Sequence, residues 1–296
     1  MAYRIGSMNL YKFNWTSTEE TKKDISKIAH IIKAERFDII ALQEILSIDA
    51  FRTLREKMGE NEWDGICAPS SSYFTHGSEY YGFLWRKSRF DIIGTPLIYR
   101  WYKSKDSMCK NGLLRPPYYA RYTSRDKIGG SFFEFRIINT HILFNKPEKA
   151  LDLEGDIELR REELRLLSER IFTSVSDKRY GDNMPAYTFL IGDYNLCLFG
   201  LGPKIDFEYD LGKERFIVHD QTDLTSLKQV NEDGEYFGDY YSNNYDHVSY
   251  EKSTKEKLRI TASRVDALKK YCGDDLEKYR HDVSDHVPIK VTISFK

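Results

Sequence analysis

The sequence predicts an α/β domain in which two packed β-sheets carry helices on their outer faces. Three observations carry that prediction. Apolar runs of strand length recur along the whole chain, amphipathic helical repeats are interspersed among them, and several strands end abruptly in Asp, Asn, Glu or His. No linker-like composition divides the 296 residues, so residues 1–296 read as a single domain, with 41% hydrophobic residues to fill a core.

Taken in order, Tyr3–Leu10 reads as a strand ending near Asn9. Ser17–Glu20 fits a capping box, and Ile25, Ile28, Ala29 and Ile32 then follow at i, i+3, i+4 and i+7, the stripe of an amphipathic helix. Phe37–Glu44 is a buried strand that stops in Gln43 and Glu44, so the chain opens strand, helix, strand. A second helix is expected over Ile48–Met58. Tyr80–Arg86 reads as a strand preceded by Glu79, and Arg89–Ile98 as a continuation of that sheet after a turn near Lys87. Trp101–Tyr122, polar, aromatic and carrying Arg115, reads as a long functional loop. Phe132–Thr140 is a strand running into His141. Asp156–Val175 is a helix with Leu159, Leu164, Leu167 and Ile171 on its buried stripe, and its arginines (Arg160, Arg161, Arg165, Arg170) read as a solvated face.

The central stretch is Phe189–Leu196, an apolar run halted at Gly192. Asp193 and Asn195 follow at i, i+2 and so point to one side of a strand end. Lys204–Tyr241 is weakly patterned, with a short strand at Phe216–Val218. Asn243–Tyr250 turns into a strand that carries Asp246. Val287, Ile289, Val291, Ile293 and Phe295 alternate strictly, the mark of a last strand, just after Asp285 and His286.

Net charge is −1, so nothing global demands a polyanion; a binding face for one would be local. No run approaches a membrane span, and the first residues enter a strand pattern with no signal-peptide core. Cys67, Cys109, Cys197 and Cys272 are scattered without metal spacing and read as free thiols. These features point to a cytoplasmic protein.

The polar strand ends are Asn9, Glu44, His141, Asp193 with Asn195, Asp246, and Asp285 with His286. A buried carboxylate needs a partner, because an unpaired charge away from water is costly. Gathered at one sheet edge, these residues form a carboxylate-rich site with two imidazoles. Oxygen ligands favour Mg²⁺, Mn²⁺ or Ca²⁺ over zinc, and Mg²⁺ so held takes substrate phosphate oxygens. A histidine beside a carboxylate can act as general base, and a second can meet charge on phosphoryl oxygens. Each residue also has a plainer reading: Gly-Asp-x-Asn as a strand and its turn, Glu44 as a solvated strand-end acid, His141 as a satisfied core histidine.

The motifs Ser-Met-Asn-Leu (7–10), Leu-Gln-Glu (42–44), Asn-Thr-His (139–141), Ile-Gly-Asp-Tyr-Asn (191–195), Tyr-Asp-His (245–247) and Ser-Asp-His-Val-Pro (284–288) stand in this order over nearly the whole chain. The set resembles the endonuclease/exonuclease/phosphatase superfamily typified by deoxyribonuclease I and exonuclease III. The resemblance implies a four-layer sandwich of two mixed sheets flanked by helices. It implies Glu44 as a metal ligand helped by Asn9 and Asp285, His141 and His286 as paired catalytic imidazoles, and Asp246 as the group that orients His286. Asp193 and Asn195 would bind metal or phosphate and position the attacking water. Glu79 resembles the carboxylate that orients the first histidine, and Arg115 a phosphate-contacting arginine.

The departures narrow the branch. Tyr11 and Leu46 stand where deoxyribonuclease I places minor-groove arginines. Met8-Asn-Leu-Tyr-Lys-Phe lacks the abasic-site repair pattern, and Phe189–Cys197 lacks that of inositol-phosphate 5-phosphatases. A metal-dependent nuclease acting on DNA, or on RNA, is the expectation. A phosphatase or phosphodiesterase on a small or lipid phosphoester is the second, and a non-catalytic binding module the third.

Overall fold

Strand ends and helix caps decide where this chain turns. The computed structural model describes residues 1–14, 22–69, 79–99, 113–144, 153–181, 184–199, 208–212, 215–228 and 240–296. Strand β1 (Ala2–Phe13) is longer than expected. Tyr11 and Lys12 take left-handed backbone, with φ of 43° and 53°, and the pairing resumes at Phe13 beyond this irregularity. Helix α1 (Ile25–Ala34) is capped by Asp24, whose carboxylate accepts the Lys27 N–H at 2.9 Å. The Ser17–Glu20 box lies outside the described residues. Strand β2 (Ile39–Ile45) returns parallel to β1, with Ile5 opposite Ile39 and Asn9 opposite Gln43. Helix α2 (Ile48–Met58) has Ser47 as its N-cap and the bounds its sequence predicts. Strands β3 (Trp63–Pro69) and β4 (Tyr80–Arg86) pair antiparallel beside β2.

Arg89–Ile98 does not continue that sheet. After the turn, β5 (Phe90–Ile92) and β6 (Leu97–Ile98) pair with β7 (Tyr118–Ser124) in a second sheet. The partner strand was hidden in the expected Trp101–Tyr122 loop. Tyr118, Ala120 and Tyr122 alternate inward and are buried between the sheets, which makes the end of that segment a strand. Residues 101–112 of it lie outside the described residues.

Strand β8 (Glu134–His141) leads to α3 (Leu153–Leu166), a π-helical turn (Leu167–Phe172) and α4 (Thr173–Asp177). Strand β9 (Ala186–Asp193) then runs parallel to β8. Strands β10 (Glu208–Gly212), β11 (Arg215–His219) and β12 (Asp246–Glu251) complete the second sheet. Helix α5 (Thr254–Lys257), β13 (Leu258–Arg264), α6 (Ala267–Cys272), α7 (Leu276–Asp282) and β14 (Ile289–Phe295) close the first. Strand order is β13-β14-β1-β2-β4-β3 in one sheet and β10-β11-β12-β9-β8-β7-β5 in the other, with β6 on β7.

Among the described residues, three apolar clusters make four layers. Ile28, Leu54, Leu268 and Tyr279 from the helices pack with Met8 and Leu42 on the outer face of the first sheet. Leu164, Leu167 and Ile171 pack on Ile138 and Leu190 of the second. Between the sheets lie Tyr3, Phe83, Phe133, Phe135, Phe189 and Tyr250, which is where much of the unusual aromatic content goes. Toward one end this filling gives way to polar side chains. Gln43 donates to Asn139 Oδ1 at 2.7 Å and to Ser7 Oγ at 3.0 Å, and Asn139 donates to the Leu42 and Gly82 carbonyls. This fully satisfied network ties the two sheets together directly under the site. Among the described residues, no helix is long and apolar enough to cross a membrane.

Candidate active site

Strand register lines the site up. Strands β8 and β12 flank β9, and both His141 and Asp246 sit opposite Asp193. Gly192 permits this close approach: its φ is 148°, and a Cβ there would lie 1.9 Å from the Thr140 carbonyl oxygen. On the first sheet, Asn9 opposes Gln43, one residue before Glu44. Asp285 and His286 arrive just before β14. Ser284 fixes them there, donating its hydroxyl to the Asn9 carbonyl at 2.7 Å and accepting the His286 N–H at 3.1 Å.

The residues predicted from sequence converge. Glu44, Glu79, Arg115, His141, Asp193, Asn195, Asp285 and His286 line one open cleft of about 660 Å³. Asn9 and Asp246 lie buried beneath it. Asn9 Nδ2 donates to Glu44 Oε1 and to Asp193 Oδ2, both at 3.0 Å, while its Oδ1 accepts the Tyr11 N–H. As oriented, Asn9 offers the site its nitrogen rather than an oxygen ligand. Asn195 N–H donates to Asp193 Oδ1 at 2.8 Å, and its side-chain NH₂ to the Ile142 carbonyl. Glu44 and Asn195 both hold left-handed backbone, φ 55° and 49°. For Glu44 that conformation is costly, and the Lys12 N–H and Asn9 grip on its carboxylate hold it there.

Two imidazole–carboxylate couples face Asp193. His286 Nδ1 lies 2.7 Å from Asp246 Oδ2, and its Nε2 3.7 Å from Asp193 Oδ2. His141 Nε2 lies 3.7 Å from the same Asp193 oxygen and 3.8 Å from Glu44, with its Nδ1 3.6 Å from Glu79. Arg115 bridges this second couple: Nη2 donates to Glu79 at 2.6 Å, and Nη1 lies 2.9 and 2.8 Å from the two His141 ring nitrogens.

The electrostatics follow from these contacts. Burial would strip the proton from His286, but Asp246, Asp193 and Asp285 hold its basicity well above that of free imidazole. Burial would raise the Glu79 carboxyl, but His141 and Arg115 hold it below the usual range. Burial raises Asp285, and the neighbouring Glu44 charge adds to that against His286. Asp193, Asp246 and His286 also present ligand atoms within 4.8 Å of one another. The short Asp246–His286 hydrogen bond already uses two of them.

Sequence reasoning missed two residues behind the cleft. Arg160 was expected on a solvated face but is buried, donating to the Asn195 carbonyl. Glu163 is buried too; it accepts the Leu114 N–H at 2.8 Å and the Leu143 N–H, and burial pushes its carboxyl up to about 7. The signal was present, since Arg160 stands at i, i+4, i+7 and i+11 with Leu164, Leu167 and Ile171.

No protein-family profile and no curated protein matches this sequence. Solved structures do match over the full chain. An endonuclease/exonuclease/phosphatase family protein of Bacteroides thetaiotaomicron superposes with a TM-score of 0.60 at 16% identity, over 100% of this chain and 98% of its own. The mannosyl-6-phosphatase Bt3783 of the same organism gives 0.60 at 16%, over 99% and 100%. D. rerio TDP2 complexed with single-strand DNA product gives 0.55 at 16%, over 99% of each chain. The layers, the strand order and these superpositions agree: the chain has the deoxyribonuclease I-like fold of the endonuclease/exonuclease/phosphatase proteins.

Proposed function

We propose that the protein is a divalent-metal-dependent phosphoesterase that hydrolyses phosphodiester bonds of nucleic acid, DNA foremost. The observation that carries this reading is the pair of imidazole–carboxylate couples turned toward one Asp193 across a single cleft. The acidic side of the cleft fits a hard cation. Among the described residues, Asp285 Oδ1 is buried without a hydrogen-bond partner, its charge is burdened by Glu44, and the donors are oxygens. Glu44 and Asp285 would hold Mg²⁺, or Mn²⁺ or Ca²⁺, with Asn9 orienting Glu44 instead of ligating directly. When bound, such an ion polarises a phosphoryl oxygen.

The chain's own groups supply the rest. Asp193, fixed by the Asn195 N–H and by Asn9, accepts the proton of a water aimed at phosphorus. His286 carries positive charge balanced by Asp246 and meets the charge that builds on the phosphoryl oxygens, with Arg115 and His141 opposite. A structural neighbour complexed with single-strand DNA product supports a nucleic-acid substrate. A second reading, a small sugar or lipid phosphoester, draws on the mannosyl-6-phosphatase, which matches at the same 16% identity with a TM-score of 0.60 against 0.55.

The test is an assay of plasmid, single-stranded DNA and RNA with Mg²⁺ or Mn²⁺, beside phosphoinositide, sphingomyelin and sugar phosphate panels. The expected result is nucleic-acid cleavage that disappears with EDTA and in His141→Ala. Phosphate release from a small ester, with nucleic acids untouched, would replace the first reading by the second.

A further inference from the structure

Three residues past His141, the cleft carries an apolar side chain that the proposed chemistry does not use. Phe144 lines the cleft yet is 40% exposed. A large exposed ring beside carboxylates and imidazoles is informative in a way that a lone surface leucine is not.

The backbone leading into it is pinned. Ile142 N–H donates to the Asp193 carbonyl at 2.9 Å, the Ile142 carbonyl accepts from Asn195 at 2.8 Å, and the Leu143 N–H reaches Glu163. The ring is backed as well. The Arg160 guanidinium lies 4.7 Å from its centroid, and Arg160 is itself buried and donates to the Asn195 carbonyl. The same guanidinium hydrogen-bonds Tyr245, a second aromatic of the cleft wall. One buried arginine thus organises two rings beside the water-positioning loop, with Phe144 left open to the cleft. Such a platform, preorganised on rigid backbone, is suited to stack a planar ring.

We propose that Phe144, with Tyr245 beside it and Arg160 behind it, forms a stacking subsite for an unpaired nucleobase attached to the phosphate in the cleft. The occupant follows from the neighbouring chemistry: the platform adjoins a phosphate site, so its ligand carries a planar ring within one sugar of a phosphate. A base inside a duplex has both faces covered, so the subsite selects single-stranded or frayed ends. This rests on the phosphoesterase reading above for the phosphate position, but not on turnover.

Calorimetric titration of the Mg²⁺-loaded protein with thymidine 5′-monophosphate and with deoxyribose 5-phosphate tests it, with ligand integrity checked by chromatography. The base should add about tenfold or more in affinity, the scale of one base stacked on an aromatic side chain. In Phe144→Ala that ratio should collapse toward one, and in Phe144→Trp it should be kept or enlarged. Equal binding of the two ligands by the unmodified protein, no binding of either, or a ratio that survives Phe144→Ala would each overturn the subsite. Selective binding without any ester cleavage in the assay above would keep the subsite and remove the catalytic reading.

Discussion

Two buried histidines on either side of one strand end show what separates a charged cleft from a packed seam. Asp246 and His247 are neighbours on β12 and so point to opposite faces. On the cleft side, Asp246 meets His286 at 2.7 Å and holds it strongly basic. On the other side, His247 Nε2 lies 2.9 Å from the Leu196 and Asn244 carbonyls, and burial pulls its pKa down to about 4. His219, next to it in the seam, has a serine hydroxyl as partner and is pulled down to about 3, first by burial and then by His247. All three are buried. Burial alone leaves a neutral, inert imidazole; a carboxylate turned toward the ring makes one that carries charge into a cleft.

Removing that carboxylate is the strongest way to break the contrast. In Asp246→Asn, His286 loses the largest of its counter-charges, and its basicity should move toward that of His247. Turnover of whichever ester the assay identifies should fall by about 10²-fold or more, the scale of a lost acid/base partner. The His286 ring resonances should titrate at lower pH, while thermal unfolding shows the fold intact. Wild-type turnover in this variant would mean that the Asp246 contact is only packing.

The second couple sharpens the comparison because it is looser. Glu79 approaches His141 at 3.6 Å, and Arg115 shares the load at 2.6 Å. Glu79→Gln should therefore cost less, about tenfold in turnover, as for loss of a group that orients a catalytic one. A loss as deep as that of Asp246→Asn would show the two couples to be equivalent and the distances to be misleading.

The site was more legible in the sequence than the sheets that carry it. A carboxylate at the end of an apolar run announces itself, because its cost of burial demands a partner. Glu44 and Asp193 stood out for that reason, and Asp285 through the Ser-Asp-His-Val-Pro motif just before the last strand. Pairing is non-local, so nothing around Arg89–Ile98 said that it would cross to the other sheet. Strand β3, Trp63-Asp-Gly-Ile-Cys-Ala-Pro69, mixes Gly and Pro into a poor strand pattern, and α6 and α7 are too short for a helical period to show. Arg160 was misread because its charge was given more weight than its place on the leucine stripe. The polar partners inside the motifs also divided unexpectedly. Gln43 and Asn139 tie the two sheets together, while the adjoining Glu44 and the near neighbour His141 face the cleft.

The smallest effect tests the seam itself, through pH. An unfolded histidine takes up a proton near its ordinary value of 6.5, whereas folded His219 resists until about 3 and His247 until about 4. Between those values the unfolded chain holds more protons. The stability these histidines give is therefore fully present above pH 6.5 and falls as the pH drops, by up to about 1.4 kcal/mol per pH unit for each. Glu163 works in the opposite sense. Its carboxyl is raised from 4.5 to about 7, so over that span the folded chain holds the extra proton and stability rises as the pH falls. The wild-type curve between 4.5 and 6.5 mixes both, so single variants are compared by urea unfolding at the two ends of that window. His219→Gln should lose less stability on acidification than the wild type, and Glu163→Gln should lose more. If His219→Gln kept the wild-type acid dependence, His219 would already be charged in the fold, and a buried histidine without a carboxylate would no longer differ from His286 in the way the cleft requires.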